Sequence, residues 1–241
     1  MNIRLSQNQC KLLAAAAMVL DHVGYLLFPQ ITVLRIIGRI AFPIFAFSVF
    51  EGCRFTHNKP KYLFQMLALG LLCMAGYFWF TGKVLANVLI TFSLSICILY
   101  AVARLKTVLF EKKWNAFHVL MGLGFALASF VAAGVVCSVI EVDYGVFGVL
   151  LPVWAELFCM GNGSASAPVN ALKQRTLALV GFALGLLLLS AQMGGIQAYS
   201  LLALLPLALA GGTRGALSLK RFFYVFYPAH LAVIGAVSML I

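Results

Sequence analysis

Asp21 and His22 stand side by side about thirteen residues into the first apolar segment of the chain, Asn8 to Phe28. An ionisable side chain inside such a segment costs several kcal/mol unless it is paired or faces water, so each one is a functional candidate. Arg35 and Arg39 open the next apolar segment, and their i,i+4 spacing puts both guanidinium groups on one helix face. A hairpin of about seven loop residues brings Asp21 near them. An Asp21–Arg39 ion pair then serves either to neutralise two buried charges or to set up chemistry. Imidazole titrates near neutral pH, so His22 is a candidate general base or transient nucleophile. Neighbouring residues diverge by about 100° on a helix, which leaves Asp21 to orient another partner and sends His22 toward a different helix. That helix is expected to be the last, which begins FFYVFYPAHL and where His230 follows Pro228 about midway through the span Phe222 to Ile241. A proline there loosens a turn and releases carbonyls for partners. His230 is alternatively a packed histidine bonded to one such carbonyl. Asn87 and Tyr144, the latter followed by Gly145 and Gly148, are weaker polar signals and candidate substrate contacts.

The elements that must position these groups follow from composition. The 241 residues are 63% hydrophobic and 10% charged, whereas a soluble domain is about 45–50% apolar and about 25% charged. A water-soluble globule is excluded, and an all-α polytopic helix bundle forming one membrane domain is expected, since roughly 20 apolar residues span the hydrocarbon core. Apolar runs predict nine helices: Asn8 to Phe28, Val33 to Cys53, Tyr62 to Phe80, Val84 to Arg104, Trp114 to Val139, Tyr144 to Met160, Thr176 to Ala191, Ala198 to Ala210 and Phe222 to Ile241. The eighth is short and holds Pro206, so eight spans plus a re-entrant piece is the alternative. The first run lacks a small-residue cleavage site and reads as a retained span rather than a signal peptide. Six dispersed cysteines, with no CxxC pair and no Cys/His grouping at ligand spacing, indicate neither a disulfide framework nor a metal site.

The net charge of +11 is spread in short clusters between apolar runs, a pattern of membrane topology and not of nucleic-acid binding. Counting alternate segments puts fourteen of the seventeen basic residues on one side: Arg4 and Lys11, then Arg54, Lys59 and Lys61, then Arg104, Lys106, Lys112 and Lys113, then Lys173 and Arg175, then Arg214, Lys220 and Arg221. Lys83 falls opposite, with Glu141 and Asp143. The positive-inside rule therefore predicts a cytoplasmic N-terminus and an outer C-terminus. Gly161 to Asn170, GNGSASAPVN, reads as a small polar linker in a cytoplasmic loop. At 1.5 Å per residue, Asp21 and His22 lie about 20 Å from the cytoplasmic end, in the outer half.

Taken together, LDHVG (Leu20 to Gly24), GRIAFPIFAF (Gly38 to Phe47), EGCRFTHNKPKY (Glu51 to Tyr62), NVLITFSLS (Asn87 to Ser95), DYGVFGVL (Asp143 to Leu150) and FYVFYPAHLAVIG (Phe223 to Gly235) resemble the TraX family in order over almost the whole chain. That family includes the acetylase of F-type conjugative pilin and is grouped with membrane acyltransferases that use acyl-CoA and an early-span histidine. The resemblance implies an acetyl-CoA-dependent N- or O-acetyltransferase of the bacterial inner membrane. Asp21, His22, Arg39 and His230 would be its catalytic positions, Arg35, Asn87 and Tyr144 its substrate contacts. Phe42 and Pro43 would shape the second span. Acetyl-CoA is too charged to cross, so only the pantetheine arm would enter a pore from below, leaving its phosphates among Arg54, Lys59, Lys61, Arg104 and Lys106. Those bases otherwise only set topology. The acceptor would be a pilin amine or a surface polysaccharide, and membrane lipid is the other partner. A proton-coupled transporter uses similar intramembrane groups, and a non-catalytic pilus or envelope assembly protein is a third class. No inverted repeat or paired broken helices favour the transporter.

Overall fold

A computed structural model of the protein describes residues 5–110, 115–159, 168–211, 215 and 219–240, and in these the ordered elements are helices. They are α1 (Gln7–Leu26), α2 (Thr32–Gly38), α3 (Ala41–Phe55), α4 (Lys59–Thr81), α5 (Val88–Phe110), α6 (Ala116–Val139), α7 (Gly145–Phe158), α8 (Pro168–Met193), the 3-10 helix η1 (Gly195–Ala203), α9 (Leu204–Leu209) and α10 (Lys220–Ser238). The expected all-α membrane bundle is what is observed. Among the described residues, five stretches are long and apolar enough to cross a bilayer: 32–55 taken through α2 and α3, α4, α5, α6 and 173–193 within α8. The chain is a multi-pass membrane protein. α1 has 20 residues but carries Lys11, Asp21 and His22 and is not among those five.

Two expected helices are differently built. The second span, read as continuous from Val33 to Cys53, is interrupted at Arg39 and Ile40. The break falls four residues before Pro43, whose ring has no N–H to offer the preceding turn and clashes with the carbonyl at i−4. The eighth, expected as one helix from Ala198 to Ala210, is a 3-10 helix running into the six-residue α9. Of the expected linker, 161–167 lies outside the described residues, and the chain is already helical from Pro168. Arg4, Lys112, Lys113 and Arg214 lie outside them too.

Capping fixes several starts. Ser6 and Gln9 form a reciprocal capping box on α1, and Asn58 and Asn115 accept from Lys61 N and Phe117 N at 3.0 and 2.9 Å. α4 ends on Gly82 in the left-handed conformation, φ 68°.

The chain divides into two compact units, residues 1–48 with 190–241 and residues 49–189. In the first, α1 packs on α2 and α10, and η1 on α2 and α9. Leu5 and Ala210 form an isolated bridge, with Gly211 N donating to Leu5 O at 2.9 Å. In the second, α5 is the central helix, buried from Leu89 to Ala101 at most positions and flanked by α4, α6 and α7. A second bridge joins Ala86 to Val142. Each bridge ties together two segments that the charge count assigns to one side of the membrane.

Candidate functional site

The first unit holds the polar cluster. α1 and α2 approach through two glycines: a Cβ on Gly24 would lie 2.7 Å from Leu34 Cβ, and one on Gly38 would fall onto the Asp21 side chain and within 2.7 Å of its Cα. Only hydrogen fits at these positions, which accounts for the glycines of LDHVG and GRIAF. The approach delivers Asp21 to both arginines. Arg35 Nε donates to Asp21 Oδ1 at 3.2 Å, and Arg39 Nη2 donates to Asp21 Oδ2. Arg39 is buried, while Arg35 is partly exposed with its guanidinium 4.8 Å from the Tyr25 ring. One carboxylate thus faces two guanidinium groups, and the cluster keeps a net positive charge. Arg39 occupies the break between α2 and α3, and its Nη1 donates to Gln197 Oε1 of η1 at 3.4 Å.

His22 turns away from Asp21 and meets His230 of α10. Their rings are edge-on with centroids 5.1 Å apart. His22 Nδ1 is 2.8 Å from Met18 O, and His230 Nδ1 is 2.9 Å from Phe226 O. A carbonyl can only accept, so both rings carry their proton on Nδ1 and the lone pair on Nε2. His230 Nε2, 3.4 Å from His22 Nδ1, takes a second share of that proton. This leaves His22 Nε2 as an unprotonated base to which no described residue hydrogen-bonds. His230 has the carbonyl partner of a packed histidine as well as this contact, and it is stacked on Phe226 with centroids 5.0 Å apart.

The remaining candidates belong to the second unit. Asn87 spends both ends of its amide on helix architecture: Oδ1 accepts from Leu89 N at 3.0 Å and Nδ2 donates to Gly70 O of α4 at 2.8 Å. Tyr144 enters α7 at φ 63°, the sole non-glycine positive φ among the described residues, held by Asp143 N on Ala86 O and by Thr91 Oγ1 on Asp143 O, both at 2.9 Å. The basic candidates split. Arg54 and Lys106 converge on buried Glu156, at 3.4 and 3.5 Å, and Lys106 also donates to Glu156 O and to Cys159 O, closing the C-terminus of α7. Arg54 additionally reaches Gln174 Oε1 at 3.4 Å, and Arg175 pairs with Glu51 at 3.3 Å. Lys59, Lys61 and Arg104 are exposed, with Lys59 Nζ 5.3 Å from the Tyr100 ring.

Glu51, Glu156, Arg175 and Gln197 were not singled out from sequence. Glu156 could have been: it is a lone carboxylate in the apolar run GVFGVLLPVWAELF. Among the described residues no group of acidic, His or Cys side chains is arranged to hold a metal ion.

A family model described as TraX protein matches residues 6–238. The chain belongs to the TraX family. Every motif of the polar cluster lies within the matched TraX region. Among curated proteins, it is 26% identical over 269 aligned residues to a probable fimbrial assembly protein of Dichelobacter nodosus, covering 99% of this chain and 98% of that one. It is also 38% identical over 94 residues to an uncharacterised protein of Rickettsia prowazekii, a match covering 39% of this chain and 36% of the other. No solved structure matches this TraX-family chain.

Proposed function

We propose that this chain is a membrane-embedded acetyltransferase that moves an acetyl group from cytoplasmic acetyl-CoA to a nucleophile at the outer side of the bacterial inner membrane. The acceptor is the N-terminal amine of a pilin or a hydroxyl of a surface glycan. The observation that carries the reading is the tautomer of His22: its Nδ1 proton is committed to Met18 O, so the base at Nε2 is available inside an apolar helix, one residue from a partly buried carboxylate–guanidinium pair.

The chemistry balances without a further reactant. The acceptor N–H or O–H gives its proton to His22 Nε2 as its heteroatom attacks the thioester carbonyl, a C–N or C–O bond forms, and the C–S bond breaks. The proton then passes from His22 to the departing CoA thiolate. Positive charge on His22 spreads to His230 through the Nδ1–Nε2 contact, and Arg39, fixed between Asp21 and Gln197, supplies the positive field toward which the carbonyl oxygen develops charge. The exposed Lys59, Lys61 and Arg104 are the better candidates for CoA phosphates, because Arg54 and Lys106 are engaged with Glu156.

A second reading, a pilus assembly protein without catalysis, is favoured by the description of the Dichelobacter nodosus relative. One experiment separates them. Membrane vesicles from cells lacking the native gene and complemented with wild type or His22→Ala are supplied with labelled acetyl-CoA, and label on protein or glycan is followed. Transfer by wild type and none by His22→Ala at equal protein level supports the enzyme; equal labelling by both removes His22 from the reaction. Intact masses of outer-surface proteins identify the acceptor by a gain of about 42 Da, the mass of an added acetyl group.

A further inference from the structure

Gln197 sits on η1, just past the glycine pair Gly194–Gly195, whose φ angles of 65° and 54° turn the chain back from α8. Its backbone is pinned, N donating to Gly194 O at 3.1 Å and O accepting from Ser190 Oγ at 3.4 Å, and Ser190 is itself 3.2 Å from Ser200 Oγ. The residue is 3% exposed. Its two ends differ. Oε1 accepts from Arg39 Nη1, and a guanidinium has only donors, so the amide cannot be turned round. Nε2 is therefore aimed away from Arg39, and it is buried with no hydrogen-bond partner among the described residues.

An orphaned donor held rigidly beside an ion pair is a poor way to fill space. Methionine would fit without a polar group, and glutamate would pair with Arg39 more strongly. An amide differs from both in accepting on one side while donating on the other, which relays the polarisation of the Asp21–Arg39 pair to an oxygen placed opposite Nε2. Resting on the acyl-transfer reading above, we propose that Gln197 is a catalytic residue whose Nε2 donates to the acetyl carbonyl oxygen of the thioester. Arg39 then acts on that oxygen through Gln197. The bond strengthens as the carbonyl becomes an oxyanion and the tetrahedral centre forms.

The test uses the full chain in vesicles of the source membrane, with labelled acetyl-CoA, comparing wild type with Gln197→Met and Gln197→Glu. Each rate is taken per mole of folded chain at saturating acetyl-CoA, with the unfolding midpoint measured alongside. Loss of one such donor is expected to lower the maximal rate by about 100-fold or more in both variants. The half-saturating acetyl-CoA concentration moves less than about threefold if the bond is made chiefly in the transition state. Isotope-edited infrared of carbonyl-labelled acetyl-CoA is expected to show the thioester stretch at lower frequency on wild type than on Gln197→Met. A merely structural glutamine predicts instead a lowered midpoint with an unchanged rate per folded chain and no difference in the stretch. Either variant within threefold of wild type overturns the inference while leaving His22-dependent transfer intact. Transfer that is absent from wild type, or equal in His22→Ala, removes both readings together.

Discussion

Arg39 reaches two different acceptors, Asp21 Oδ2 and Gln197 Oε1, with two different nitrogens. A planar fork does this from two nitrogens at fixed spacing, whereas an ammonium is a single point charge that would have to draw both acceptors to one nitrogen. Arg39→Lys is accordingly expected to keep the protein level and to lower acetyl transfer on the order of 100-fold, measured in the same vesicles. Replacing Arg35, whose contact with Asp21 is partly exposed, should have the smaller effect, because solvent screens what remains. The charged members of the cluster were legible in the sequence, since each interrupts an apolar run. Gln197 was not: it is neutral, it lies one residue before the short stretch expected as the eighth helix, and its contact with Arg39 joins residues 158 positions apart. The cytoplasmic bases show the opposite limit, because charge alone could not tell Arg54 and Lys106, held by Glu156, from Lys59, Lys61 and Arg104, which face outward.

At the level of elements, the hairpin of α1 and α2 and the break before α3 set the cluster. Periodicity gives a helix either side of Arg39 but does not resolve an interruption of two residues, and the cue was the proline four positions on. Gly38→Ala places a methyl group against Asp21, so α1 and α2 must separate and the Asp21–Arg39 pair must stretch. Activity is expected to fall by an amount similar to Arg39→Lys. Gly76→Ala in α4 is the control: nothing lies within 4 Å of the added carbon, and the gain in helix propensity stabilises by about 0.5–1 kcal/mol. Thermal midpoints of the two purified variants should therefore move apart, with only Gly38→Ala losing acetyl transfer. The expected single helix from Ala198 to Ala210 is instead η1 followed by α9, because a 3-10 segment between a glycine pair and Pro206 carries the same apolar composition as an α-helix.

The whole molecule is organised by where charge can be tolerated. Fourteen of seventeen basic residues fall in alternate segments, and the bridges Leu5–Ala210 and Ala86–Val142 each join segments of one predicted side. A cysteine in place of Lys83 is expected to react with a membrane-impermeant thiol reagent added to intact cells, above the background of the native thiols. One in place of Lys59 should react only after permeabilisation, and the reverse pattern would invert the topology. Glu156→Gln leaves Arg54 and Lys106 without their shared counter-ion and is expected to destabilise the second unit by about 2 kcal/mol, seen as a lower unfolding midpoint. That network was illegible beforehand, since α3, α5, α7 and α8 must assemble before its members meet. α4 and α6, by contrast, flank α5 and leave most of their own surface uncovered, with Trp79, Phe80, Leu120 and Leu127 pointing outward. With 23 and 24 residues they are about 35 Å long, a little more than the hydrocarbon thickness of about 30 Å. Acyl-chain length thus becomes a variable of this fold: thin bilayers and short-chain detergents should tilt or strip these two helices first, and long-chain lipids should keep them upright against their neighbour.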